Sequence, residues 1–195
     1  MKLEIPDQTL SGYIFECNGT IDDTMPLHYR AWTKVMNDFG GIFPEDLWCG
    51  RPTATIVGLL NEKFGLSMDI DRTDRRKEDY YLEKIPEVTP ISEVLATAQK
   101  MHGILPMAIA SRRQRELVDA TLNAFGITKT FQAIICAEDN VNGKPVPDPF
   151  LVAAERIGVA APECIAFEGS FTAASKPPKP MAWLGFLCLR QKHKK

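Results

Sequence analysis

Apolar residues along this chain occur in two patterns, as short continuous runs and as stretches where they recur every three or four positions. The first run opens "YIFECNGTIDDT" (Tyr13–Thr24), which reads as a strand stopping at a Gly-Thr turn. From Thr24 to about Pro90 the helical period takes over. "PLHYRAWTKVMNDFG" has a proline suited to a first helical turn, sets Leu27, Ala31, Val35 and Phe39 on one face, and ends at Gly40-Gly41. "TATIVGLLNEKFGL" and "RTDRRKEDYYLEKI" repeat the amphipathic pattern, the second placing Tyr80 and Tyr81 in the interior of this segment. Beyond Pro90 helices and strands alternate. "ISEVLATAQKMHG" precedes the strand "LPMAIAS", "RRQRELVDATLNAFG" precedes "FQAIICA", and "DPFLVAAERIG" precedes "CIAFEGS"; "MAWLGFLCL" (Met181–Leu189) supplies a last strand.

These apolar runs are too short for buried helices and rich enough in branched residues to be strands. Continuous apolar strands separated by helices predict a parallel sheet covered on both faces. The expected organisation is an α/β core of residues 1–23 and 90–195, with a helical domain of residues 24–89 inserted after the first strand. Ligands of such sheets bind in the crevice at the carboxyl ends of the strands.

Composition narrows the setting. A chain of 195 residues, 45% hydrophobic and 25% charged, can bury one sizeable core with a smaller insertion. A formal net charge of -2 creates no field that recommends nucleic acid or an anionic membrane as partner. Cys17, Cys49, Cys136, Cys164 and Cys188 are odd in number and form no C-x-x-C pair, which favours reduced thiols and a cytoplasmic setting. "MKLEIPDQTL" lacks the apolar region of a signal peptide, and Met181–Leu189 is too short to span a bilayer. Arg190–Lys195 reads as a solvated tail.

The strand ends carry the candidate chemistry. The first offers Glu16, Asn18, Gly19 and Thr20; Glu16 and Asn18 lie two residues apart and so on one face. The second offers Ser111, then Arg112 and Arg113; the fourth offers Glu168, Gly169 and Ser170; "GKPVPDPF" brings Lys144 in a proline-stiffened loop. Hydroxyls, a lysine and glycine-opened amides converging on one crevice suit a phosphate group. Taken singly, Ser111 reads as a helix N-cap and Lys144 as a surface lysine.

Taken together, these motifs resemble the haloacid dehalogenase superfamily, in particular the small-capped subgroup of β-phosphoglucomutase and the fructose-1-phosphate phosphatase-like proteins. "IFECNGTIDDT" stands where the family has a D-x-D-G-T turn, "PLHYRAW" opens the cap, "AIAS" ends strand two, "GKPVPDPF" carries the lysine, and "FEGS" replaces an E-D-S run. The resemblance implies a Rossmann-like three-layer core with parallel strand order 5-4-1-2-3 and a cap inserted after strand one. It implies two-step phosphoryl transfer on a small phosphorylated sugar. The first acid of the turn is nucleophile, the second is acid/base, and Thr20, Ser111 and Lys144 hold phosphate with Gly19 and Arg112 nearby. Mg²⁺ would be held at Glu16, the backbone of Asn18 and the E-D-S acid, with Glu168 beside it. In the cap, "CGRPTAT" would be the specificity loop, with Gly50 letting the backbone turn and Arg51 or Thr53 facing a sugar hydroxyl or phosphate, and His28 sits at the hinge, more often a packing group than a catalyst.

Three positions depart from the family pattern. Glu16 is one methylene longer than Asp, Asn18 has no proton to give, and Gly169 replaces the metal-binding acid. With Glu16 and Glu168 opposing Lys144, the site is expected to be nearly neutral without metal. Pro177, Pro178 and Pro180 break the helix that would follow "FEGS". Two functions remain in view: a Mg²⁺-dependent sugar-phosphate phosphatase or phosphomutase with impaired catalysis, and an inactive relative that binds a phosphorylated ligand or a protein.

Overall fold

The computed structural model describes residues 10–45, 47, 51–139 and 149–168. In chain order the elements are β1 (Gly12–Phe15), α1 (Met25–Asp38), α2 (Thr53–Phe64), α3 (Ile70–Lys84), α4 (Ser92–Met101), β2 (Met107–Ala110), α5 (Arg115–Ala124), β3 (Ala133–Ile135), α6 (Pro149–Arg156) and β4 (Cys164–Phe167). They divide into two compact units, Thr24–Val88 and the residues on either side of that segment.

In the α/β unit the described strands form a parallel sheet in the order β3-β2-β1-β4. This is a Rossmann-like α/β fold. The fifth strand expected at Met181–Leu189 lies outside the described residues. Strand alternation sends Tyr13, Phe15, Met107, Ile109, Ile165 and Phe167 to one face, where Val94 and Ala98 of α4 and Val118 and Leu122 of α5 cover them. Ile14, Ala108, Ala110, Cys164 and Ala166 point the other way, under Phe150, Ala153 and Ala154 of α6. Both faces are therefore dry, which is why each strand reads as an unbroken apolar run. Phe15 stacks on Phe167 at 4.4 Å between ring centroids and meets the edge of Phe131 at 5.9 Å. At the start of β1, a Cβ on Gly12 would stand 3.1 Å from Ile157 Cδ1 and 3.2 Å from Cys164 Sγ, so glycine permits this close packing.

The helical unit has its own core, built from Trp32, Val35 and Met36 of α1, Ile56, Val57 and Leu60 of α2, and Phe43 between them. Leu27, Ala31 and Val35 are buried as their spacing predicts. Phe39 is not. The helix stops at Asp38, the Phe39 N–H turns back to the Met36 carbonyl, and Phe39 is 44% exposed. Gly40 follows with φ +71°, a left-handed step that ends the face one residue short of the expected pattern. Tyr81 is buried and stacks on His28 at 5.0 Å. Tyr80, expected inside, is only partly buried, with the Lys34 ammonium 5.5 Å from its ring centre. Among the described residues no helix is long and apolar enough to cross a membrane.

Candidate functional site

The sheet register determines what meets at its carboxyl edge. Phe15 pairs with Ile109 on one side and with Phe167 on the other, so the residues just beyond them emerge together. The Glu16 N–H donates to the Phe167 carbonyl (2.9 Å) and the Ser111 N–H to the Ile135 carbonyl (2.9 Å), carrying the ladder past the last strand residues. Across this edge the Ser111 hydroxyl donates to Glu16 Oε1 (3.1 Å). The Arg113 N–H donates to Ser111 Oγ (3.3 Å). Ser111 is thus not a helix N-cap; Gln114 holds that place on α5 and makes no side-chain cap bond. Glu168, the first residue after β4, is buried.

After Glu16 the chain folds into a tight turn. The Cys17 carbonyl accepts from the N–H groups of Thr20 (3.2 Å), Ile21 (3.0 Å) and Asp22 (3.3 Å). Gly19, at φ +73°, makes the left-handed step that closes the turn. Its N–H donates to Asp22 Oδ1 (3.0 Å), and the Cys17 thiol donates to Asp22 Oδ2 (3.6 Å). The amide expected to be open at Gly19 is therefore already engaged. Asp22 is fully buried and organises this turn. Sequence reasoning passed over it: the Asp22 carboxylate reaches back three residues to the Gly19 N–H, a contact that no local motif in the sequence announces.

These carboxylates act on one another. Burial first, then Glu168, then Asp22, push the Glu16 carboxyl well above its usual range, while the Ser111 hydrogen bond and Arg112 pull it down. Glu16 Oε2 is buried and has no hydrogen-bond partner among the described residues. Burial and the neighbouring Asp22 and Glu16 also raise the Cys17 thiol. The near-neutral balance expected from sequence omitted Asp22, a third carboxylate in the neighbourhood of Glu16. Arg112 is exposed.

Of the other candidates, Thr20 is buried in the turn and Asn18 forms an isolated bridge with Asp22. Thr53 donates its hydroxyl to Asp74 Oδ1 (2.7 Å), and Arg51 is exposed; both belong to the helical unit, as does His28. Lys144, Gly50, Gly169 and Ser170 lie outside the described residues.

The Mg²⁺ implied by resemblance can be tested against the donors. Among the described residues no group of three His, Cys, Asp or Glu side chains is placed to hold a metal ion. Both carboxylate oxygens of Asp22 are engaged with the turn, Glu16 Oε1 accepts from Ser111 and leaves only Oε2 without a hydrogen bond among the described residues, and glycine in the sequence at position 169 offers no carboxylate. The described donor set does not fit the family's Mg²⁺ site.

Comparison with known proteins agrees with this architecture. The family model for haloacid dehalogenase-like hydrolases matches residues 10–172. The chain is 29% identical over 161 residues to fructose-1-phosphate phosphatase YqaB of Escherichia coli, covering 81% of this chain and 86% of that one. It is 26% identical over 168 residues to a phosphorylated carbohydrates phosphatase of Thermotoga maritima, covering 83% and 77%. The crystal structure of β-phosphoglucomutase from Clostridium difficile superposes with a TM-score of 0.65 at 26% identity, covering 83% of this chain and 77% of that one. With the parallel sheet, the Glu16–Ser111 edge and a family match over most of its length, this chain belongs to the haloacid dehalogenase-like hydrolases.

Proposed function

We propose that this chain holds a phosphorylated sugar or related metabolite on a sugar-phosphate phosphatase scaffold whose phosphoryl transfer is impaired. The observation that carries the reading is the environment of Glu16. A nucleophilic carboxylate must be ionised and unengaged. Here it is pushed toward the protonated form by burial and by Glu168 and Asp22, and one oxygen is bound to Ser111. Its extra methylene displaces the attacking oxygen by about 1.3 to 1.5 Å, and a misplacement of about 1 Å can cost on the order of a hundredfold in rate.

Asn18 compounds the loss, because an amide neither gives nor takes the leaving-group proton; that help is worth about 10² to 10⁴-fold. Gly169 removes the carboxylate that would hold Mg²⁺, which superfamily members generally use. The groups suited to the ligand, Thr20, Ser111 and Lys144, are retained in the sequence. The names of the relatives support a phosphorylated carbohydrate as ligand class. His28, Arg51 and Thr53 belong to the segment that would select it, and residues 24–89 would act as the cap. The odd cysteine count with no C-x-x-C pair supports reduced thiols and a cytoplasmic setting.

Restoration tests this reading. Glu16→Asp with Asn18→Asp is expected to gain little phosphate release, because Mg²⁺ is still poorly held. Adding Gly169→Asp is expected to give Mg²⁺-dependent release from sugar phosphates. Strong activity in the double variant would show that the metal ligand is not what is missing; no activity in the folded triple variant would show that the three departures do not explain the loss.

A further inference from the structure

The Ser111 hydroxyl has one proton, and in this structure that proton is given to Glu16 Oε1 at 3.1 Å. The Arg113 N–H occupies the acceptor side of the same oxygen at 3.3 Å, so the hydroxyl is oriented from both ends. A phosphate oxygen needs the proton that Glu16 holds. We propose that the Glu16 carboxylate is an internal competitor for the phosphate subsite. Its side chain, one methylene longer than aspartate, is hydrogen-bonded to the Ser111 hydroxyl and must release it before a phosphomonoester can take that proton. This rests on the reading of Ser111 as a phosphate-holding residue.

The geometry supports competition. Ser111 is 1% exposed and its proton is engaged by Glu16, so the hydroxyl is not open to an incoming anion in this conformation. Glu16 Oε2 is buried without a hydrogen-bond partner among the described residues, so Ser111 is the bond that anchors the side chain in this position. Asp22 and Glu168 surround Glu16 with like charge, while Arg112 offers the opposing one. The Ser111 contact therefore sets whether the Glu16 carboxyl or an external anion takes this hydroxyl. An aspartate shortens the side chain by about 1.3 Å, which is expected to weaken the Ser111 contact, and keeps the carboxyl group.

The test is binding of inorganic phosphate to the full chain in EDTA, by calorimetry, for wild type and Glu16→Asp. The expected result is about tenfold tighter binding in Glu16→Asp, the value of one charge-assisted hydrogen bond released for the ligand. Adding Ser111→Ala to Glu16→Asp should abolish that gain. If Glu16→Asp does not fold, Glu16→Ala and Glu16→Gln replace it. Both are neutral, but only Gln still accepts the Ser111 proton, so Ala should bind tighter. Equal affinities within the pair would overturn competition and leave the phosphate-holding reading standing. No phosphate binding by any folded variant, at concentrations up to tens of millimolar, would overturn both.

Discussion

Replacing Glu16 by Gln isolates the electrostatic penalty in the candidate site. The substitution keeps the side-chain length and an oxygen able to accept from Ser111, and it removes the charge beside Glu168 and Asp22. Burial beside two like charges disfavours the ionised carboxylate, and each tenfold change in its acid dissociation corresponds to about 1.4 kcal/mol. The carboxyl is raised in the folded protein relative to its usual value of 4.5. Below pH 4.5 it is protonated in both folded and unfolded chains, and the protonated form's full stability is present. As pH rises past 4.5 the unfolded chain ionises first, so wild-type stability falls until the folded-state value is passed. Glu16→Gln escapes this loss. The variant should match the wild type near pH 4 and exceed it by on the order of 1 kcal/mol or more at pH 8. At this chain length that corresponds to roughly 2 to 4 °C in Tm for each kcal/mol. Thermal melts of the full chain, followed by circular dichroism at pH 4, 6 and 8, measure the difference. A stability difference that stays constant with pH, or favours the wild type at pH 8, would refute the account of Glu16.

Two predictions concern the core that carries the site. Phe15→Ala removes a ring with no exposed surface from between Phe167 and Phe131, and should cost about 3 to 5 kcal/mol in urea unfolding of the full chain; a cost below 1 kcal/mol would contradict the packing described. Cys17, Cys136 and Cys164 should resist alkylation in the native protein at pH 8 and label only on unfolding. All three are buried, and burial raises Cys136 to about 12 and Cys164 to about 11. Peptide mapping of the labelled thiols checks this, and rapid native labelling of any of the three would overturn it.

The sheet was legible because its strands are dry on both faces. Runs such as "YIF", "MAIA" and "CIAF" have no solvent-facing alternation to confuse with a helix. The place of Ser111 at the carboxyl edge of the sheet was legible because it directly follows such a run. What sequence missed lies in the turn. In "NGTIDDT" two aspartates look alike, and only the folded backbone distinguishes Asp22, buried and bonded to Gly19 and Cys17, from its neighbour Asp23. Phe39 was misplaced for a related reason, since the apolar period runs on through a residue where backbone geometry has already ended the helix. The Glu16–Ser111 bond was also invisible. Residue identities placed a carboxylate and a hydroxyl at neighbouring strand ends, but whether they meet depends on side-chain reach.

Our central proposal is that this haloacid dehalogenase-like hydrolase retains phosphate-holding residues and has lost efficient phosphoryl transfer. Phosphate release from a panel of sugar phosphates, with and without Mg²⁺, on protein purified by two independent routes, tests it most directly. The account predicts no release above background in either condition, together with metal-independent thermal protection by at least one sugar phosphate. Turnover that requires Mg²⁺ and disappears in Glu16→Ala would contradict it, showing that Glu16 is a working nucleophile.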